Sequence, residues 1–338
     1  MTEALAPADE RWDGLVDAAP TPDVYFRPGY CAAYEAAGHG RAVAVQTDGA
    51  LVPLLLRELP FGEDGLDAIT PYGYGGFLPL TNRGGGAGAV DELRQLRAWC
   101  VANGVVSVLL RLHPLVGGLG DLSKADGVEI HEHGPTAAVD LAKVEDGRLT
   151  GMSKGRKADL NVARRELELS WGSSEADLER FRAVYDETMT RIGARDYYLF
   201  PPDYYQALAD GLGDRLGVAL ALRGEEVAGG ALFMADQRFA HYHLSGTTDA
   251  GRELKAGTLL VHAGAVWGAE RGCELLHLGG GTEGADSLYA FKRSFGGREF
   301  RYSFATLVAD PDRYDALVAR RAEEPEPPRQ DFFPAYRA

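Results

Sequence analysis

Residues 216–244 read LGVALALRGEEVAGGALFMADQRFAHYHL, and this stretch decides the fold. Leu216 to Leu222, Val227 to Met234 and Arg238 to Leu244 are apolar runs of strand length, separated by Gly224-Glu225-Glu226 and by Asp236-Gln237. Glycine and short polar residues favour turns, so the punctuation predicts three antiparallel strands. The period then changes, and a helix is predicted from about Glu253 to Arg271, stopped by Gly272 and followed by an apolar strand from Glu274 to Leu278. The order is strand, strand, strand, helix, strand.

The first half repeats much of it. Residues 41–57, RAVAVQTDGALVPLLLR, read as two strands joined at Asp48-Gly49, a strong hairpin signal. Val90, Leu93, Leu96 and Trp99 then fall at helical spacing, Asn103-Gly104 ends the helix, and Val105 to Leu112 is rich in strand formers. An offset of about 170 residues is too long for a solenoid and fits a duplicated domain. The expected class is α/β, with residues 1–148 forming a first domain completed by 318–338, and residues 149–317 a second. Asp140 to Arg180 reads as helical and charged, with a boundary near Lys143 to Met152. Asn82 to Gly88, with three consecutive glycines, reads as a loop, and Glu323 to Ala338, with four prolines, as an extended strap. The helix before it, Asp312 to Arg321, is expected to pack on the first domain.

Composition narrows the function. At 338 residues, 45% hydrophobic and 25% charged, the chain is of globular make-up, long enough for about two domains. Its longest apolar run, Ala50 to Leu56, contains Pro53 and falls far short of the roughly 20 residues of a membrane span. The acidic N-terminus has no leader pattern, so a cytoplasmic location is expected. Cys31, Cys100 and Cys273 form no CxxC pair and suggest neither a disulfide framework nor a zinc site. With 50 acidic against 35 basic side chains, the net charge of −15 repels polyanions at long range, so a nucleic acid must meet a local basic patch. Lys154, Arg156, Lys157, Arg164 and Arg165, within twelve residues, form the densest one; a solvated helix face has the same composition.

Phosphate-loop, GxSxG, HExxH and GxGxxG patterns are absent. His241 and His243 share one face of a strand and would suit a metal only with a third ligand, so no metal or other cofactor is expected. Residues 279–297, GGGTEGADSLYAFKRSFGG, carry the clearest signal. Glycines open a loop after a buried strand, Leu288, Phe291 and Phe295 line one side of a short amphipathic segment, and Lys292 stands beside Phe291. A cation held by apolar neighbours suits an oxyanion. An ordinary surface lysine on an amphipathic helix has the same local pattern.

The element order resembles the core of the GNAT acyltransferase superfamily. There an anion sits on the amides that open the central helix, in a pattern of Gln or Arg, two residues, Gly, one residue, then Gly or Ala. The matching stretch is Arg252-Glu253-Leu254-Lys255-Ala256-Gly257, with Lys255 in the place of the first glycine. More specifically, LGGG at 278–281, Leu288 to Gly296, AHYHLSGTT at 240–248 and SKGRKADLNVARRE at 153–166 resemble the Fem-type aminoacyl-tRNA-dependent transferases, which include the peptidoglycan interpeptide-bridge enzymes. The likeness covers about residues 150 to 305 and, in the first half, the order of elements and Pro71-Tyr72-Gly73-Tyr74-Gly75-Gly76.

This resemblance implies twin GNAT-like domains with mixed sheets flanked by helices. It implies transfer of an amino acid from aminoacyl-tRNA to an amine of a peptide-like or nucleotide-linked acceptor, a cell-wall precursor or a secondary metabolite, with no membrane span and no DNA. Lys292, after Phe291, would stabilise the tetrahedral species. Tyr242 would line the substrate cavity, Arg195 and Tyr198 would contact the acceptor, and Tyr72 and Tyr74 would belong to the acceptor-binding lobe. Lys154, Arg156, Arg164 and Lys255 would meet tRNA or nucleotide phosphates. The general base stays open among the leaving ribose, a substrate carboxylate, Asp286 and Glu283. Two alternatives share the sequence pattern: an acyl-CoA-dependent N-acyltransferase acting on a small amine, and a non-catalytic tRNA- or peptide-binding module.

Overall fold

The computed structural model describes residues 2–81, 88–117, 122–125, 127–281, 286–326, 329 and 332–338. The chain forms two compact units, Met1–His133 with Tyr302–Ala338, and Gly134–Arg301. Most of the expected loop at Asn82 to Gly88 lies outside the described residues, as does part of the proline-rich tail.

In the first unit Arg41–Gln46 pairs antiparallel with Ala50–Glu58. The turn between them is fixed by the Thr47 amide on the Ala50 carbonyl at 2.9 Å. Gly49 donates to a carboxylate oxygen of Glu92, 3.2 Å away on the helix Gly88–Ala102. A Cβ on Gly49 would come within 2.6 Å of that carboxylate, so the hairpin glycine serves a close approach as well as the turn. Ala50–Glu58 continues into the short strand Leu66–Ile69, which hydrophobic patterning did not single out. Leu66–Ile69 runs parallel to Val105–Leu112, and the helix Gly88–Ala102 makes the crossover between them. That helix buries Leu93, Leu96, Trp99 and Cys100 in one core with Val43, Val45, Val52 and Leu54. The expected C-terminal helix, Pro311–Arg321, packs Leu317 with Leu59, Val106 and Tyr336 of the same unit.

The second unit carries the predicted meander. Leu216–Arg223, Glu226–Ala235 and Phe239–Thr247 pair antiparallel in turn, and Leu275–Gly280 joins parallel to Phe239–Thr247. Its core packs Phe233, Leu259, Leu260, Val261, Trp267 and Leu276. The region Asp140 to Arg180 is less helical than its charge pattern suggests. The helices Lys154–Glu166 and Glu175–Arg191 frame a strand, Glu168–Gly172, which forms the edge of the sheet beside Leu216–Arg223. The predicted single helix from Glu253 is also corrected. Asp249–Glu253 and Ala256–Glu270 are separate helices, because Lys255 adopts φ 64° and turns the backbone left-handed.

The units divide at His133/Gly134 and Arg301/Tyr302, not at the expected 148/149 and 317/318. Both divisions fall inside strands, Val128–Asp140 and Arg298–Val308. Residues 136–140 pair with Leu275–Gly280, and residues 303–308 pair with Val105–Leu112. A division inside a strand leaves no change of composition for sequence reading to find.

Candidate functional site

In the strand Leu275–Gly280 the penultimate residue, Gly279, is left-handed, φ 78°, and Asp286 stands before the helix Ser287–Arg293. Asp286 caps that helix by accepting the Tyr289 amide at 2.8 Å. Tyr289 and Phe295 turn inward, whereas Leu288, expected on the apolar side, is 40% exposed. The segment is held from below. The Ser153 amide donates to the Ser294 carbonyl at 2.9 Å, and Gly296, φ 81°, passes so close to Gly151 that a Cβ would reach its carbonyl oxygen at 2.3 Å. Phe291 meets Phe295 edge-on, with ring centroids 5.1 Å apart.

Lys292 is withdrawn from water within this frame. Its Nζ donates to the Gly280 carbonyl at 2.7 Å, and among the described residues no carboxylate lies within ion-pair distance. Loss of solvent pushes the ammonium down from 10.5 to about 8, against a weaker pull upward from Asp286. The group therefore retains most of its charge at neutral pH while partly desolvated, the condition under which a cation acts most strongly on a nascent anion.

Arg156 joins this cluster. Its guanidinium lies 5.1 Å from the Phe291 ring centroid, donates to Thr258 Oγ1 at 3.2 Å and pairs with Asp159 at 2.9 Å. It thus ties the helix Lys154–Glu166 to the first turn of the helix Ala256–Glu270 and to the aromatic ring beside Lys292. Lys154, the first residue of its helix, and Lys255 are exposed. Arg164 faces elsewhere, donating to His262 Nε2 at 3.3 Å.

The other candidates occupy separate places. Tyr242 is partly buried against the core, and desolvation pushes its hydroxyl up to about 12. His243 is held neutral, with burial the larger cause and His241 the smaller, pushed down to about 3, and bonds to the Tyr204 hydroxyl at 2.8 Å. Arg195 opens a short turn, Asp196–Tyr198, in which Tyr197 and Tyr198 meet edge-on at 5.4 Å. Tyr72 and Tyr74 belong to the first unit. Tyr30 donates to the Tyr72 carbonyl, and Tyr74 packs against Tyr25 at 5.5 Å and Tyr302 at 5.1 Å. Glu283 lies outside the described residues. Thr258, which anchors Arg156, had no distinguishing sequence signal.

Residues 152–293 match the acetyltransferase (GNAT) domain family. Among solved structures, FemX is similar over 93% of this chain and 99% of its own, with a TM-score of 0.70 at 14% identity. The L-PGS from Bacillus licheniformis is similar over 89% of this chain and 92% of its own, at TM-score 0.59 and 15% identity. A tandem GNAT protein from the clavulanic acid biosynthesis pathway is similar over 92% of this chain and 99% of its own, at TM-score 0.54 and 15% identity. No curated protein matches the sequence. At these identities the likeness shows the fold, which is the mixed α/β, twin-GNAT fold expected from the Fem-type resemblance. Among the described residues no helix is long and apolar enough to cross a membrane.

Proposed function

We propose that this GNAT-fold chain transfers an aminoacyl group from aminoacyl-tRNA to an amine of a peptide-like or nucleotide-linked acceptor. The observation that carries the reading is Lys292, a desolvated ammonium held to the Gly280 carbonyl with Phe291 beside it. In the reaction the acceptor amine attacks the carbonyl carbon of the aminoacyl ester, charge gathers on the carbonyl oxygen, and the bond to the tRNA ribose breaks as the amide forms. The ester is already activated, so positioning and charge stabilisation suffice for much of the rate. Lys292 serves the oxyanion, Phe291 and Arg156 hold its neighbourhood, and Lys154 and Lys255 offer exposed cations to phosphate. Tyr242, Arg195, Tyr198, Tyr72 and Tyr74 are proposed for the acceptor. Such a donor places the protein in the cytoplasm.

Substituting Lys292 with Met is expected to lower transfer by about two to three orders of magnitude with the fold retained, on the scale of losing an oxyanion donor. The assay follows labelled amino acid from charged tRNA into an amine pool, and a near-normal rate in the folded variant overturns the reading.

A second reading draws on the backbone at Lys255. Its left-handed conformation is one that glycine adopts freely, so the turn before the helix Ala256–Glu270 is kept although the glycine is not. An anion at that helix start fits an acyl-CoA donor. Labelled acetyl-CoA offered beside labelled aminoacyl-tRNA separates the two donors, and ribonuclease sensitivity checks the result independently.

A further inference from the structure

The strand Glu168–Gly172 pairs with Leu216–Arg223 along one side, and among the described residues no strand pairs with the other. Its outward N–H and C=O groups are a template for a further strand, and sheet edges are commonly guarded against one by lysine, proline, a bulge or an inward charge. ELSWG at 168–172 holds neither lysine nor proline, and its pairing runs in regular register. Leu169 and Trp171 share one face of the strand, and each is 38% exposed. With Leu167 and Gly172 they line a cavity of about 1020 Å³, so there is room for a neighbouring segment. Trp171 is held on that face by stacking on Trp267, with planes 11° apart and centroids at 5.8 Å. Gly217 makes the stack possible, since a Cβ there would stand 2.9 Å from Trp267 and 3.0 Å from Trp171.

Symmetry and charge say which neighbour fits. A two-fold axis normal to the sheet and passing through Ser170 sets two copies of the strand antiparallel, in the one register where all five residues find partners. Leu169 then faces the second copy's Trp171, and Trp171 its Leu169, an apolar cross-strand pair made twice. Glu168 faces Gly172, so no two carboxylates stand directly opposite. The same register joins unlike ends. The strand follows the last turn of the helix Lys154–Glu166, which carries Arg164 and Arg165, and precedes the first turn of the helix Glu175–Arg191, which carries Glu175 and Asp177. Antiparallel pairing brings the basic end of each copy to the acidic end of the other, whereas parallel pairing would set like ends together. Arg165 and Glu175 lie five positions either side of Ser170, are exposed, and make no ion pair among the described residues.

We propose that the chain forms a two-fold dimer through Glu168–Gly172, the two strands pairing antiparallel about Ser170 so that one sheet continues through both copies. The assignment does not depend on the aminoacyl-transfer reading. Two five-residue strands make a small interface, so half-association is expected at about 10–100 μM.

Sedimentation velocity of the full chain from about 1 to 500 μM is expected to show the mass double. Amides of Glu168–Gly172 should exchange more slowly as the dimer forms, with those of Phe239–Thr247 unchanged. Leu169→Lys, which guards the edge, should weaken association about tenfold or more with the melting temperature kept. The register is tested by charge. Arg165→Glu and Glu175→Arg should each weaken self-association about tenfold, since each sets like charges together at both ends of the interface. An equimolar mixture of the two variants should recover it, because every such contact then joins opposite charges, and a misfolded chain could not do so. A chain monomeric throughout the range, full association in Leu169→Lys, or a mixture no better than its components overturns the assignment. So does a chain that stays monomeric and binds the extended peptide Thr-Val-Thr-Val-Thr instead.

Discussion

At the scale of single residues, Lys292 makes the sharpest demand. Its proton leaves at about 8, so an oxyanion role requires transfer to fall as pH rises through that value. Arg cannot deprotonate in this range, and Lys292→Arg should retain its activity, reduced by the altered shape, to higher pH. Rate against pH for both proteins checks this, and an identical alkaline fall in the two removes Lys292 as its cause. The sign for stability runs the other way. An unfolded lysine keeps its proton to about 10.5, so unfolding takes up a proton between about pH 8 and that value, and stability rises with pH across the window. Below it the buried ammonium carries its full desolvation cost. Lys292 could be singled out as a candidate from the sequence because the glycines, Phe291 and the amphipathic segment are local. Its Gly280 partner and the Arg156 contact on Phe291 were not, since each depends on how separate segments fold together. The same holds for Arg164, which looked like one more cation on a basic helix until its partner, His262, was placed 98 positions later in the chain.

Among the elements, packing of the helix Ala256–Glu270 on the meander decides the second unit, and Gly264 decides the packing. A Cβ there would fall 2.0 Å from Phe233 Cε1 on the strand Glu226–Ala235, so helix and strand meet at a distance only glycine permits. Gly264→Ala should cost about 1–3 kcal/mol or more, although alanine is the better helix former by roughly 1 kcal/mol. Urea unfolding gives the sign, and a stabilised variant contradicts the packing. Strands of the meander were readable because apolar runs and turn residues lie next to each other. Leu66–Ile69 was missed because four residues carry too short a pattern. Glu168–Gly172 was hidden by the charged helices on either side, and the break at Lys255 is a backbone angle that hydrophobic spacing does not record.

For the whole molecule, the last residues complete the first unit. Asp67, fully buried, pairs with Arg57 at 2.7 Å and with Arg337, and accepts the Tyr336 hydroxyl at 3.2 Å; that hydroxyl also meets Ser107 at 2.7 Å. Removing residues 332–338 strips a buried carboxylate of two partners and should destabilise the first unit by about 2–4 kcal/mol. Amide hydrogen exchange is expected to quicken in Val105–Leu112 and to stay unchanged in Phe239–Thr247; equal effects in both would deny the tail this local role. The duplication was visible in the sequence, but the pairing of residues 303–308 with Val105–Leu112 was not, because strand partners nearly two hundred positions apart leave no local trace. That pairing also sets an order of assembly. A ribosome delivers Gly134–Arg301 as one uninterrupted stretch, while the amino-terminal portion must wait, its sheet lacking a strand, until residues 303–308 have been made. A chain stopped before residue 303 would therefore leave Val105–Leu112 with an open strand edge, the kind of edge that invites pairing with another chain.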